Sequence, residues 1–295
     1  MCLTLSEFQN IAYRKNPGIP PEKLGVFSKS SIDVCGSCGT GQIDPPCKSE
    51  DLREFYEQLF SANSPRSSMI KRGVYARTAH QFLTFKDFID IKDMSVIEIG
   101  SNDAGWFKLC RLYRAEEYSY FDSIRSSYID KRGGVFLGFL SSEKISEIKS
   151  ESTDLIVASH SLEHLMPGEI RTLLLGMKSI LKSQTGLIFI EIPIELDDFD
   201  MRTLTPPHTL FFTVQGLTGL LENVGFDILG MHLIKGHKFG RYKSLNRSFL
   251  RRLLSYLMMK YFLSEKVFPD AIVNLSSSFY PRSEFDYVRV LVQNR

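Results

Sequence analysis

The stretch VIEIGSNDAGWF, Val96 to Phe107, sets an acid, Glu98, just before a turn of small residues: Gly100, Ser101, Asn102, Asp103, Ala104 and Gly105. Gly100 admits a positive φ, small side chains let a ligand approach the main chain, and the helix that follows offers unpaired N–H groups. A phosphate loop would close on Gly-Lys-Ser/Thr, whereas Gly105 precedes Trp106. A dinucleotide turn would carry glycine where Asn102 stands, so that a pyrophosphate could sit close. Glu98 would repel a pyrophosphate and suits an ammonium group, so the turn is expected to receive the amino-bearing end of a ligand. About twenty residues on, in YFDS, Asp122 stands where a carboxylate accepts hydrogen bonds from two ribose hydroxyls, with Ser123 beside it.

Two further stretches carry groups able to move a proton. DLIVASHSLEHLMP places His160, Glu163 and His164 just after an apolar run, and LTPPHTLFFT carries His208. Histidine ordinarily titrates near pH ~6.5, so either segment could supply a general base. A third, DVCGSCGTG, is a single Cys-x-x-Cys knuckle, Cys35 and Cys38. Structural zinc normally takes two such pairs. Cys2 stands alone upstream and Cys47 follows, so the knuckle is read as a degenerate module holding no metal. Cys110 falls on a helix and is read as a small core residue.

These groups need elements to position them. From Asp93 onward short apolar runs alternate with helical patterns: MSVIEIG, EYSYFDS, GVFLGFL, DLIVASH, GLIFIEIP, FDILGMHL and DYVRVLVQ. Near-continuous apolar strands separated by helices predict an α/β domain, a seven-stranded, doubly wound, mainly parallel sheet covered on both faces. Ligands of such sheets bind at the carboxyl ends of the strands, where the Gly100–Gly105 turn, Asp122 and His160 fall. Upstream, helical spacing predicts a helix capped by Ser49 and another over about residues 73–90, with Phe82, Leu83 and Phe85 toward the core. Residues 1–65 read as a small turn-rich appendage and 66–295 as the main domain, with a helical insertion over about 241–283 before the last strand.

VIEIGSNDAGWF, YFDS, DLIVASHSLEHLMPGEIRTLLLGMKSILKSQTGLIFIEIP and PPHTLFFTVQGLTGLLENVGFDI together resemble the class I S-adenosylmethionine-dependent methyltransferases. The resemblance runs from about Gly73 to Gly230 plus the terminal strand and is closest to the branch that includes sugar C-methyltransferases. It implies S-adenosylmethionine held by Glu98, Gly100, Ser101, Asn102, Gly105, Asp122, Ser123, Phe139, Ser159 and His160. It also implies a sugar, nucleotide sugar or glycan precursor as acceptor, and His208 and His160 at the reacting centre. Two positions depart from the pattern. Ala104 takes a glycine position in the turn, and Pro206 and Pro207 replace the His-Glu that precedes the matching histidine. The second departure favours O-methylation over C-methylation, because transfer to oxygen needs one base and a positioned nucleophile. Loss of His-Glu and of the first cysteine pair also suits a non-catalytic binding protein on the same fold.

Bulk properties agree with a globular enzyme. The chain has 295 residues, 43% hydrophobic and 24% charged, with net charge +2. That balance argues against nucleic acid as partner. No apolar run is long enough to span a membrane, the N-terminus lacks a secretory pattern, and five cysteines without one suit free thiols in the cytoplasm. The basic amphipathic stretch at about 245–262, with Arg247, Arg251, Arg252 and Lys260, suits weak membrane-surface contact or a homodimer face.

Overall fold

The computed structural model describes residues 31–44, 75–101, 104–194, 208–234 and 287–295, with single positions between 46 and 56. Cys2, Cys47, Ser49, Asn102, Asp103, Pro206, Pro207, the 241–283 insertion and its basic helix lie outside the described residues.

All seven anticipated strands are present: β3 (Ser95–Ile99), β4 (Glu117–Phe121), β5 (Val135–Gly138), β6 (Leu155–Ser159), β7 (Leu187–Pro193), β9 (Phe226–Ile234) and β10 (Tyr287–Asn294). They form one sheet in the order β5-β4-β3-β6-β7-β10-β9. β3 through β7 pair in parallel, while β10 runs antiparallel between β7 and β9. Strand order therefore reverses at β3 and β6, which opens a crevice at their carboxyl ends.

Alternate residues of each strand feed two cores. On one face Ile97, Ile99, Ile156 and Ile190 pack with Leu173, Leu174 and Met177 of α5 (Ile170–Ile180) and Leu217 and Leu221 of α6 (Val214–Val224). On the other, Val96, Tyr118, Tyr120, Val157 and Phe189 pack under Trp106, Phe107 and Cys110 of α2 (Gly105–Tyr113) and Phe82 of α1 (Tyr75–Thr84). Two-sided burial is why these strands read as continuous apolar runs. α1 stops at Thr84, short of the expected Asp90, because the chain tightens into successive turns, Phe85 N–H to Phe82 C=O and Phe88 N–H to Phe85 C=O. Those turns bury Phe85 against the rings of Phe189 and His232. Two short helices, α3 (Ser127–Asp130) and α4 (Ser142–Ser146), are each capped by a serine hydroxyl.

The cysteine knuckle joins β1 (Ser31–Val34) to β2 (Gly41–Asp44), and β2 adds β8 (Leu210–Phe211) to make a separate three-stranded sheet. Both described thiols are free, and Cys110 is buried as expected. The turn is held by Cys35 N–H to Thr40 C=O at 2.9 Å and Gly39 N–H to Cys35 C=O at 2.8 Å. The cap of α6 reaches it, since Thr213 Oγ1 donates to Cys38 C=O at 2.5 Å and accepts from Gly216 N–H. The knuckle thus lies against the start of α6, and β2 pairs with the strand that follows His208. Hydrogen bonds from the Ser37 hydroxyl and the backbone N–H groups of the turn pull the exposed Cys35 thiol down to about 6. Among the described residues no helix is long and apolar enough to cross a membrane.

Candidate active site

The crevice begins where β3 ends. Gly100 has φ +76°, and a Cβ there would stand 2.6 Å from Ser161 Oγ. Ser161 follows β6, and its hydroxyl donates to Ile99 C=O at 2.5 Å. The turns after β3 and β6 are therefore stitched together through a contact only glycine permits. Ala104, the residue that replaces glycine in this turn, caps α2 in the left-handed region, φ 56° and ψ 27°, fully buried and without a side-chain cap. An L-residue there carries about 1 kcal/mol of strain. Ala104→Gly is expected to leave stability within about 0.5 kcal/mol of wild type, because relief of strain is offset by the greater freedom of glycine in the unfolded chain and by loss of a buried methyl. A loss above about 1 kcal/mol, read from the urea midpoint, would show that the turn holds alanine without strain.

Gly105 opens α2, so the first N–H groups of that helix face the turn. Asp122 follows β4, and its carboxylate accepts from Ser101 Oγ and Ser123 Oγ, both at 3.2 Å, and from Ile124 N–H at 3.3 Å. The fold thus brings Ser101, Asp122 and Ser123 together as the sequence implies. Gly138, φ +101°, faces open space where a Cβ would stand, and the Phe139 ring beside it lies 6.0 Å from the Arg53 guanidinium. Glu98 is placed differently. It is 4% exposed, on the sheet face under α2, and the Tyr118 hydroxyl donates to it. Burial and this carboxylate push the Tyr118 hydroxyl far above its usual range.

The end of β6 builds the second half of the site. His160 adopts φ +51°, unusual for a non-glycine residue, and is pinned by its N–H to Glu191 C=O at 2.7 Å. The imidazole is thereby set between two buried carboxylates, Nε2 3.2 Å from Glu191 Oε1 and Nδ1 3.4 Å from Glu163 Oε1, with Tyr287 edge-on at 4.9 Å. Behind it lies a polar network that the sequence did not announce. Gln81 Nε2 donates to Ser159 Oγ and to Glu191 Oε1, each at 2.8 Å, and Gln81 Oε1 accepts from Trp106 Nε1 at 2.9 Å. Arg289, from β10, donates its Nε to Glu191 Oε2 at 2.5 Å and its Nη1 to Thr84 Oγ1 at 2.7 Å. Glu191 is 2% exposed, and its carboxylate braces His160.

Glu163 forms the centre of a third group. The short 3-10 turn Leu162–His164 buries it completely. His164 Nε2 lies 3.8 Å and His208 Nε2 4.0 Å from Glu163 Oε1, and the two rings meet edge-on at 4.8 Å. The segments are locked by Thr209, whose N–H and hydroxyl donate to Glu163 C=O at 2.8 and 3.2 Å. Burial pushes the Glu163 carboxyl up, but His160, His164 and His208 outweigh it and bring it down to about 2.

A family model described as a methyltransferase domain matches residues 70–230, more than half of the chain. No curated protein matches. Solved structures do. The [4+2]-cyclase SpnF is 13% identical with TM-score 0.54, over 90% of this chain and 99% of that one. The complex of the Haloferax volcanii Trm112 methyltransferase activator with a methyltransferase gives 11% identity and TM-score 0.52, over 81% and 97%. A methyltransferase from Archaeoglobus fulgidus gives 17% and 0.47, over 81% and 98%. At these identities the first two structural matches speak to the fold alone, and the family model adds the activity. The Ser101–Asp122 arrangement and the open space at Gly138 fit S-adenosylmethionine, the expected cofactor. The chain belongs to the methyltransferase-domain family and is a class I methyltransferase.

Proposed function

We propose that the protein transfers a methyl group to a hydroxyl oxygen of a sugar, nucleotide sugar or glycan precursor. The observation that carries this reading is the convergence of His160, His164 and His208 on buried Glu163 beside the crevice at β3 and β6. When bound, S-adenosylmethionine supplies an electrophilic methyl group. The Gly100–Ser101 turn and Asp122 hold the cofactor, Asp122 by accepting from the ribose hydroxyls. His208, 14% exposed, faces the acceptor and takes the proton of its hydroxyl. His160, braced by Glu191, lines the acceptor's path. Oxygen is favoured over carbon because Pro206 and Pro207 stand where carbon methylation in the resembling branch has His-Glu.

Incubating the purified protein with methyl-labelled S-adenosylmethionine and a panel of nucleotide sugars and glycan precursors is the test. Label is expected on a hydroxyl oxygen of one panel class. Label on carbon would reverse the choice of atom, and label on a non-sugar acceptor alone would remove the sugar assignment.

A further inference from the structure

Glu163 has no exposed surface, and neither of its carboxylate oxygens has a hydrogen-bond partner among the described residues. The nearest imidazole nitrogens, at 3.4 to 4.0 Å, are within ion-pair reach without forming hydrogen bonds to it. The three imidazoles stabilise the Glu163 anion through their charge, but neither oxygen receives the close donor that a buried carboxylate ordinarily has. Glu163, His164 and His208 can each offer one ligand atom, and these atoms all lie within 4.8 Å of one another.

We propose that these three residues bind a divalent transition-metal ion of the zinc class. Two imidazoles and one carboxylate are the donor set for such an ion, and three protein ligands leave a position open for an outside oxygen. Ligand atoms about 2.0–2.1 Å from a four-coordinate ion stand roughly 3.3 Å apart. The His164 and His208 nitrogens are 3.8 and 4.0 Å from Glu163 Oε1 and no pair in the set exceeds 4.8 Å, so ion binding would draw the ligand atoms together by roughly 0.5–1.5 Å. The frame around it is fixed. His164 N–H donates to Ser161 C=O, the Tyr56 ring meets the His164 ring edge-on at 5.6 Å, and Thr209 clamps the His208 segment to Glu163 C=O. His160 stands outside the ligand group, held to Glu191.

The inference rests on the reading of this crevice as the acceptor site, and it specifies the acceptor further. The open position would bind the acceptor hydroxyl, selecting substrates with an oxygen ligand at the methylated atom. With the ion bound, His208 would serve as a ligand and the ion would lower the pKa of the acceptor hydroxyl, whose proton would then pass to His160, outside the ligand group; His208 takes that proton itself only in the metal-free protein.

The test is titration of the chelator-stripped full chain with Co2+, with Cys35→Ser and Cys38→Ser introduced to silence the knuckle. One equivalent is expected, with visible d–d bands and no thiolate-to-cobalt charge-transfer band. His208→Ala and Glu163→Gln should each weaken it at least tenfold. Unchanged affinity for S-adenosylhomocysteine in a variant shows that it is folded. If Glu163→Gln fails to fold, the partly exposed His208→Ala decides. No stoichiometric binding, a charge-transfer band, or equal affinity in the folded variants would overturn the site. Because the readout is metal occupancy, a negative result leaves methyl transfer standing, and absence of methyl transfer leaves the metal result standing.

Discussion

Arg289→Met is expected to destabilise the protein by about 3–5 kcal/mol, the largest stability effect of any single change in the site. Arg289 is 3% exposed and Glu191 2% exposed, and they are directly opposite in the β10–β7 register. Removing the guanidinium leaves Glu191 buried without the charged donor opposite it, while Gln81, Ser159 and His160 remain beside it. Breaking one side of a buried pair costs far more than the pair contributes net, because the remaining charge has lost its counter-ion and its contact with water. Thermal unfolding should shift down by roughly 10 °C, at about 2–4 °C per kcal/mol for a chain of this size. Adding Glu191→Gln to Arg289→Met should recover part of the loss, since the orphaned charge is then gone. A loss below about 1 kcal/mol for the single variant would mean that Glu191 is neutral in the native protein.

His208→Ala is expected to lower turnover by about 10²-fold or more while leaving affinity for S-adenosylhomocysteine nearly unchanged. The imidazole reaches toward Glu163 from the segment before β8, whereas the proposed cofactor seat is built on the turns after β3 and β4. Its loss should therefore appear in the chemical step. Single-turnover methyl transfer with saturating cofactor separates the two quantities. Equal turnover in variant and wild type would remove His208 from the reaction, and a parallel loss of cofactor affinity would make it part of the cofactor site.

The sheet was legible because two-sided burial writes itself as unbroken apolar runs, and SVIEI and GLIFIEIP can hardly be anything else. The Ser101–Asp122 contact was legible too, since both residues follow parallel strands that are neighbours in the sheet. Gln81 and Arg289 were not. Each sits in an ordinary local pattern, and their meeting at Glu191 joins residues 110 and 98 positions apart, which no local signal carries. Glu98 shows the converse limit. Its spacing marks a ligand turn, but strand alternation sends its carboxylate under α2 to Tyr118, and only side-chain direction reveals this. His160 was picked by its place after β6, whereas its left-handed backbone, which aims the ring at two carboxylates, is invisible in residue types. The knuckle's pairing of β2 with β8 was hidden for the same reason, since short strands far apart in sequence leave no periodic trace.

The most direct measurement is calorimetric titration of the wild-type chain and of Asp122→Ala with S-adenosylhomocysteine. One molecule should bind per wild-type chain, and Asp122→Ala should bind at least tenfold more weakly, because two ribose hydroxyls lose a charged acceptor worth about 1.5–3 kcal/mol. No binding to the wild type, or equal affinity in the two proteins, would contradict a cofactor seat built from the turn after β3 and the carboxylate after β4.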